Sequence, residues 1–440
     1  MPGQLRALYS ILIVAITVGL LTGLLIFGPL WLLMTALVAL LLWMVFTRTG
    51  MQSWSVTRMG LATLPMRLGS SSVIVVGVAG VVGVLVALLA MGQGFENTLR
   101  DTGTQDTAII TRAGSLTEVN SVLDLSSAEI AFQAPQVARN AQGQTIASPE
   151  LVVIASIPKK SNHLDANVEM RGIGERGWEL RSRTKIIEGR TFTPGLRELI
   201  VGKGTPDQFM GLDIGSTLML NGQVWSVVGV FDAHDAHNSE LWADAGVMAS
   251  TYHRNGTVNS ATVRLVSPDA FVPLKALLTS DRRLKVDVAT TRDYYGRQSA
   301  AVTHLIRTIG VTIGIIMALG AVFGALNTMY SAVAARTKEI ATLRAIGFQG
   351  ESVVVSVLLE TALLALCGGL LGGLVSWILF HDYTASTLGA NFSQLVFAFT
   401  ISPALLWSGL KWALAIGLLG GLLPALRAAQ MSVVFGLRDS

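Results

Sequence analysis

Long apolar runs separated by short charged connections dominate the chain. Six runs, Leu8–Phe27, Leu30–Phe46, Ser72–Met91, Ile309–Leu326, Val353–Phe380 and Leu405–Leu423, stand out. Crossing the hydrocarbon core takes about 20 mostly apolar residues, so each run predicts a transmembrane helix. The first two meet at Gly28-Pro29, and no small-residue cleavage pattern follows the first. They are therefore expected to form a retained hairpin over residues 1–50 rather than a signal peptide. Residues 51–70, "MQSWSVTRMGLATLPMRLGS", mix Trp54, Met59, Leu61, Leu64 and Met66 with Arg58 and Arg67. This mixture predicts an interfacial helix along the inner leaflet, its arginines reaching phosphate head groups and Pro65 interrupting it. A plain cytoplasmic loop is the alternative.

Between the third and fourth runs the periodicity changes. Segments 107–114, 151–157, 167–173, 198–202, 261–266 and 284–290 alternate β-branched with polar residues and predict strands. Residues 216–231 read as a hairpin turning at Asn221-Gly222. Ser267-Pro268-Asp269 opens an apolar helical stripe. Residues 93–300 are thus expected to be an α+β domain. The segments joining it to the membrane, 92–103 with Phe95 and Glu96 and 291–310 with His304 and Arg307, have helix-compatible, charge-bearing composition. They predict helical stalks; a flexible linker would be richer in Gly, Ser and Pro.

Composition sharpens the class. Hydrophobic residues make up 51% of the chain and charged residues 14%, with 45 glycines, which is far from an ordinary soluble domain. Arg6, Arg48, Arg58, Arg67, Arg336, Lys338, Arg344, Arg427 and Arg438 fall at one set of helix ends. By the positive-inside rule both termini and the loops 48–70 and 331–352 are cytoplasmic, with 92–307 and 381–403 outside. Orientation accounts for the net charge of +4, and no nucleic-acid partner is needed. The single cysteine, Cys367, leaves the outer domain without a disulfide and reads as a buried packing residue.

Candidate chemistry is sparse. No phosphate-binding G-x-x-x-x-G-K-[ST] occurs, and the Gly-rich "CGGLLGGLVS" at 367–376 lies in an apolar run, where small residues permit close helix approach. The chain is therefore not expected to hydrolyse ATP. Asp232, His234, Asp235, His237 and Glu240 are close enough in sequence to hold a divalent cation, but they read more simply as a solvated loop. No catalytic constellation is recognisable. Glu360 and Lys411 fall inside spans, near opposite faces; such charges can mark ion pathways or can snorkel each to its own interface. The distinctive piece is "RTKEIATLRAIGF", 336–348. As a helix it places Ile340, Leu343 and Ile346 on one apolar stripe beside Arg336, Lys338, Glu339 and Arg344, with Thr337 and Ala345 completing it and Gly347 ending it. Such a helix suits a groove on another protein, or a lipid surface.

The stretch 325–373, together with 420–438 and 68–95, resembles the FtsX/MacB-like permease subunits of ABC transporters, and with the outer domain the resemblance covers 51–440. It implies a membrane α-helical fold of six transmembrane helices with an α+β extracytoplasmic domain, a four-helix core preceded by an additional hairpin. Residues 71–92 would be the first core helix, 93–300 the periplasmic domain with its stalks, and 301–440 the other three core helices with a coupling helix at 334–348. The resemblance further implies a multi-pass protein of the bacterial inner membrane and a second permease copy, homomeric or related. A cytoplasmic ABC ATPase dimer would carry ATP and Mg and receive the coupling helix. No catalytic residue, metal or cofactor is expected in this chain. Phrases at 185–192, 197–204 and 221–233 look most like permeases paired with a periplasmic adaptor and outer-membrane channel, favouring efflux or export. Lipoprotein release, regulation of cell-wall hydrolases and, more remotely, a secondary transporter are the alternatives.

Overall fold

The computed structural model describes residues 2–388, 393–431 and 433. The chain begins with α1 (Pro2–Phe27), α2 (Leu30–Phe46) and α3 (Arg48–Thr63), then a 3-10 turn at Leu64–Arg67 and α4 (Leu68–Thr102). The middle segment runs β1 (Thr107–Arg112), β2 (Leu123–Asp124), α5 (Leu125–Phe132), β3 (Ala147–Pro158), β4 (Asp165–Ile173) and the single turn α6 (Gly177–Leu180). It continues through β5 (Lys185–Gly189), β6 (Glu198–Gly202), β7 (Thr217–Leu220), β8 (Gln223–Asp232), β9 (Leu241–Asp244), α7 (Ala245–Thr251), β10 (Thr257–Val258), β11 (Ser260–Arg264), α8 (Phe271–Ser280) and β12 (Val286–Thr290). Then follow α9 (Thr291–Ala335), α10 (Thr337–Ala345), α11 (Gly350–Phe380), β13 (Thr384–Leu388), β14 (Gln394–Ala398) and α12 (Pro403–Gln430). The chain divides into a helical unit, the described residues of 1–90, 306–381 and 400–440, and an outer unit, those of 91–305 and 382–399.

In the helical unit, α4, α9, α11 and α12 are long and apolar enough to cross a membrane. A fifth span results if α2 and α3, which meet at 97°, count as one. Thr47 sets that corner: its backbone is extended and its hydroxyl accepts the Gly50 N–H at 3.0 Å, capping α3. Residues 48–63 are helical rather than a loop, and the buried positions of α3 are Gly50, Ser53, Val56, Thr57 and Gly60, while Trp54 and Met59 stay exposed. α11 is the hub. A Cβ at Gly372 would sit 2.4 Å from the Ala79 carbonyl oxygen of α4, so only glycine allows that approach. Ser376 Oγ then donates to the Gly83 carbonyl at 2.8 Å. Cys367 lies on an exposed face of α11, which corrects the expectation of a buried thiol: the inward positions are taken by its glycine neighbours Gly368 and Gly369. Arg438, counted above among the basic helix ends, lies outside the described residues, as does the end of the 420–438 motif.

The outer unit is α+β. One mixed sheet has the order β12-β1-β11-β3-β4-β9-β6-β8-β5, with β7 pairing β8. All neighbours are antiparallel except β4 with β9 and β6 with β8. At the β7–β8 turn Asn221 and Gly222 both take positive φ, 46° and 71°, as a two-residue hairpin requires. β5 and β9 were not legible in the hydrophobic pattern. Nor was the β13–β14 hairpin, which lies where a plain outer loop is expected from the sequence. That hairpin joins the outer unit: the Val396 N–H donates to Ser239 Oγ at 2.7 Å, and the Phe397 ring meets Phe95 edge-on at 5.6 Å.

Two large apolar cores, one built on β1, β11, α5 and α8, the other on β3, β4, β6, β8 and β9, are joined by a smaller one around Phe231 and Trp242. The sheet also carries a buried ionic cluster. Arg171 of β4, 1% exposed, donates to Glu118 (3.0 and 3.1 Å), Glu150 (2.9 Å) and Glu240 (two bonds of 2.9 Å). Arg181 reaches both Glu150 oxygens at 2.8 Å. Ser260 Oγ donates to Glu118 at 2.6 Å and Trp242 Nε1 to Glu240 at 2.7 Å. Burial pushes the Glu240 carboxyl up, but Arg171, His237 and the Trp242 N–H outweigh it and hold the group at about 2. Glu150 is likewise held below the usual carboxylate value, Arg181 and Arg171 outweighing burial.

Removing one partner from such a cluster leaves uncompensated buried charge, so Arg171→Met should destabilise the outer unit by about 3–5 kcal/mol. The pH dependence has a fixed sign. The folded carboxyl values lie below the unfolded ones, so the cluster's contribution is complete above about pH 5 and is lost as pH falls toward about 2. Urea midpoints read by protease susceptibility, near neutrality and at about pH 3, check both statements.

Candidate functional site

The segment singled out in the sequence sits at one end of the helical unit. Arg336 interrupts the helix between α9 and α10, its φ of −107° and ψ of 12° redirecting the chain. Its guanidinium turns inward: Nη1 donates to Glu360 of α11 at 3.1 Å and Nε to Glu339 at 3.2 Å. The Glu360 side chain is 5% exposed and that of Arg336 11%. α3 closes over the pair at Gly60, where a Cβ would lie 3.1 Å from Arg336 Nη1 and 3.2 Å from Glu360 Oε2. One joint residue is thereby fixed to a neighbouring span by a buried ion pair.

The other end of α10 is fixed as well. The Gly347 N–H donates to the Arg344 carbonyl at 3.2 Å and the Phe348 N–H to the Leu343 carbonyl at 3.1 Å. With Gly347 at φ 104°, this is the paired bonding by which a left-handed glycine ends a helix. Arg344 Nη1 donates to the Met431 carbonyl at the end of α12. Both termini of α10 are therefore tied to other helices.

This geometry corrects the proposed stripe. Ile340 is buried in the helical core with Val333 and Val353, so it anchors α10 inward instead of facing a partner. Leu343 and Arg344 are half-buried, and Thr337 is too. The outward face is Lys338, Glu339, Thr342, Ala345 and Ile346, the last 70% exposed. Equal spacing of Ile340, Leu343 and Ile346 along the sequence could not distinguish which side meets α9 and α11. Beside α10 an open groove of about 1110 Å³ is lined by Tyr330, Ala334, Lys338, Glu339, Arg427 and Met431. The Arg427 guanidinium stacks on the Tyr330 ring at 5.6 Å.

Sequence reasoning met Glu360 as an isolated intramembrane charge and missed its partner, which lies 24 residues away. Lys411 is also engaged: its ammonium donates to the Ile26 carbonyl at 3.1 Å, satisfying the last turn of α1. The expected stalk residues fall on two helices. On α4 Phe95 is buried, and Glu96 lies 3.8 Å from Arg100; on α9 His304 and Arg307 are exposed. The acidic and histidine cluster at 232–240 is distributed among separate partners. Asp232 pairs with Lys203 at 3.1 Å, Asp235 with His237 at 2.9 Å and Glu240 with Arg171, and no metal-holding group forms among the described residues.

A family model described as FtsX-like permease C-terminal matches residues 311–433, and one described as MacB-like periplasmic core domain matches 71–280. The uncharacterized ABC transporter permease YknZ of Bacillus subtilis is 25% identical over 422 residues, 87% of this chain and 98% of YknZ. The macrolide export ATP-binding/permease protein MacB of Vibrio parahaemolyticus is 25% identical over 293 residues, 62% of this chain and 43% of MacB. The chain thus spans less than half the length of that relative. Among solved structures, the periplasmic region of MacB from Actinobacillus actinomycetemcomitans is similar at a TM-score of 0.33 and 17% identity, over 44% of this chain and 92% of that one.

The buried pair makes a specific demand. Glu360→Ala strands the Arg336 guanidinium and should lower stability by about 3–5 kcal/mol, whereas the double change Arg336→Met with Glu360→Met should regain most of it. Thermal unfolding of the detergent-purified chain distinguishes the two; a double variant no more stable than the single one would show that the pair is not the cause.

Proposed function

Because the chain belongs to the FtsX/MacB-like ABC transporter permeases, we propose that it is a non-catalytic subunit. It converts ATP turnover in a separate cytoplasmic ATPase into movement of its outer domain. The observation that carries this reading is α10, a short exposed-faced helix held at both ends by neighbouring helices. A push on its outward face acts on α9 and α11 through the Arg336–Glu360 pair and on α12 through Arg344. A helix that merely rested on lipid would need no such fixation.

The reading has a consistent geometry. The lysine and arginine positions favour α10 and both termini in the cytoplasm and the outer unit on the far side, the periplasm if the membrane is a bacterial inner one. α1 and α2 then complete six spans with the four-helix core. α4 and α9 have 35 and 45 residues. At 1.5 Å per residue each greatly exceeds the ~30 Å hydrocarbon core, which suits stalks that carry motion outward. Two permease copies act with an ATPase dimer that holds ATP and Mg. The match over 98% of YknZ, named as a permease, supports an ATPase carried on another chain. The relatives named for macrolide export favour an export role with a periplasmic adaptor and outer-membrane channel. A self-powered carrier is disfavoured, since Glu360 and Lys411 are both engaged by protein groups.

With the purified partner ATPase in proteoliposomes, Ile346→Asp or Ala345→Asp should cut permease-stimulated ATP hydrolysis at least about tenfold, the effect of a charge placed in an interface core. Unfolding of the chain should be unchanged. Stimulation that persists undiminished in both variants counts decisively against coupling through α10.

A further inference from the structure

The outer unit contains a cleft that coupling does not use. It has a volume of about 310 Å³ and is lined by the end of α4, β1, β11, the turn after α6, and the ring side of His237 and Tyr295. That size is at the low end of the roughly 300–1,000 Å³ typical of ligand sites. Arg181, Arg183 and Arg264 line it together with Asp101, Asp106 and Asp235.

Buried polar atoms are nearly always hydrogen-bonded. Among the described residues eight buried side-chain nitrogen or oxygen atoms have no partner, and three of them, Arg181 Nε, Arg264 Nε and His237 Nε2, belong to side chains lining this cleft. The same side chains are held firmly on their other sides. Arg181 bonds Glu150 at 2.8 Å, Arg264 Nη2 donates to the Leu180 carbonyl at 3.4 Å, and His237 Nδ1 lies 2.9 Å from Asp235 Oδ1. The Arg181 guanidinium and the His237 ring both pack on Trp242, at 5.2 and 5.4 Å from its ring centre. His237 is 4% exposed. Burial disfavours its charged form, but Asp235 and Glu240 outweigh that and raise its pKa. When the ring is protonated, Nδ1–H faces Asp235 and Nε2 is a second donor.

Two guanidinium Nε–H donors and an imidazole nitrogen, all without a protein partner, fit an acceptor-only group such as a carboxylate. Asp101 and Asp106, which pair with no cation among the described residues, make the cleft hostile to a polyanion and suit an ammonium group. We propose that this cleft binds a small amphoteric molecule, an amino acid or short peptide, with its carboxylate on Arg181, Arg264 and His237 and its ammonium on Asp101 and Asp106. The site is independent of the coupling reading and needs no ATPase.

The test uses the full chain in lipid nanodiscs without ATPase. Calorimetric titration is run with pooled amino acids, a mixed dipeptide library, succinate, putrescine and inorganic phosphate. Saturable binding of the amino acids or dipeptides is expected, at least about tenfold tighter than of succinate, putrescine or phosphate, each of which satisfies only one end of the cleft. Arg264→Gln and Asp106→Asn should each weaken it at least about tenfold with unfolding temperature unchanged. Absence of saturable binding by either pool overturns the proposal, as does phosphate or succinate binding equally well. Undiminished binding in Asp106→Asn overturns it too, and that variant decides the matter if Arg264→Gln does not fold.

Discussion

One guanidinium organises the outer unit. Arg171 is buried in the sheet and is met by carboxylates from the loop after β1, from β3 and from the residue before β9. Three buried glutamates face Arg171 and Arg181. Each ion left unmatched in such a place costs several kcal/mol. A one-residue slip of β3, β4 or β9 would turn its charged side chain away from the cluster. The cluster therefore selects one register for strands whose apolar faces alone would tolerate others, and it fixes the two halves of the sheet together.

The helical unit follows the same rule under different solvent conditions. Lipid tails give apolar helices no hydrophobic reason to associate, so close packing and polar contacts must hold them. α11 provides both, with glycines at 368, 369, 372 and 373 against α4 and α12, and Glu360 against Arg336. Lys411, the cation inside α12, is matched by a terminal carbonyl of α1. That contact makes the N-terminal hairpin part of the helical unit rather than an appendage. At Arg171, Glu360 and Lys411 another element supplies the complement of the charge, and in α10 the same device ties a short surface helix to its neighbours.

What was legible in the sequence followed local periodicity. The apolar runs, the strands beginning near 107, 151, 167 and 198, and the Asn221-Gly222 turn all announce themselves within a dozen residues. The Gly347 terminus of α10 does so too. What was not legible depends on distance. Glu118, Glu150, Arg171 and Glu240 look like ordinary surface charges until the fold collects them. Ile340 shares its spacing with Ile346, and only the packing of α9 and α11 decides that one faces inward and the other outward. β13 and β14 are short, weakly patterned strands, and neither their pairing nor their attachment to Ser239 and Phe95 shows in the local pattern.

That late hairpin has a practical consequence. The outer unit is assembled from two stretches of chain, the second arriving after an intervening pair of spans. A soluble fragment cut from the first stretch alone would uncover the Phe95 ring and leave the Ser239 hydroxyl facing solvent, with Gly94 no longer needed for the passage of the Ala398 carbonyl. Excision of this ectodomain for separate study therefore calls for splicing 382–399 back onto it.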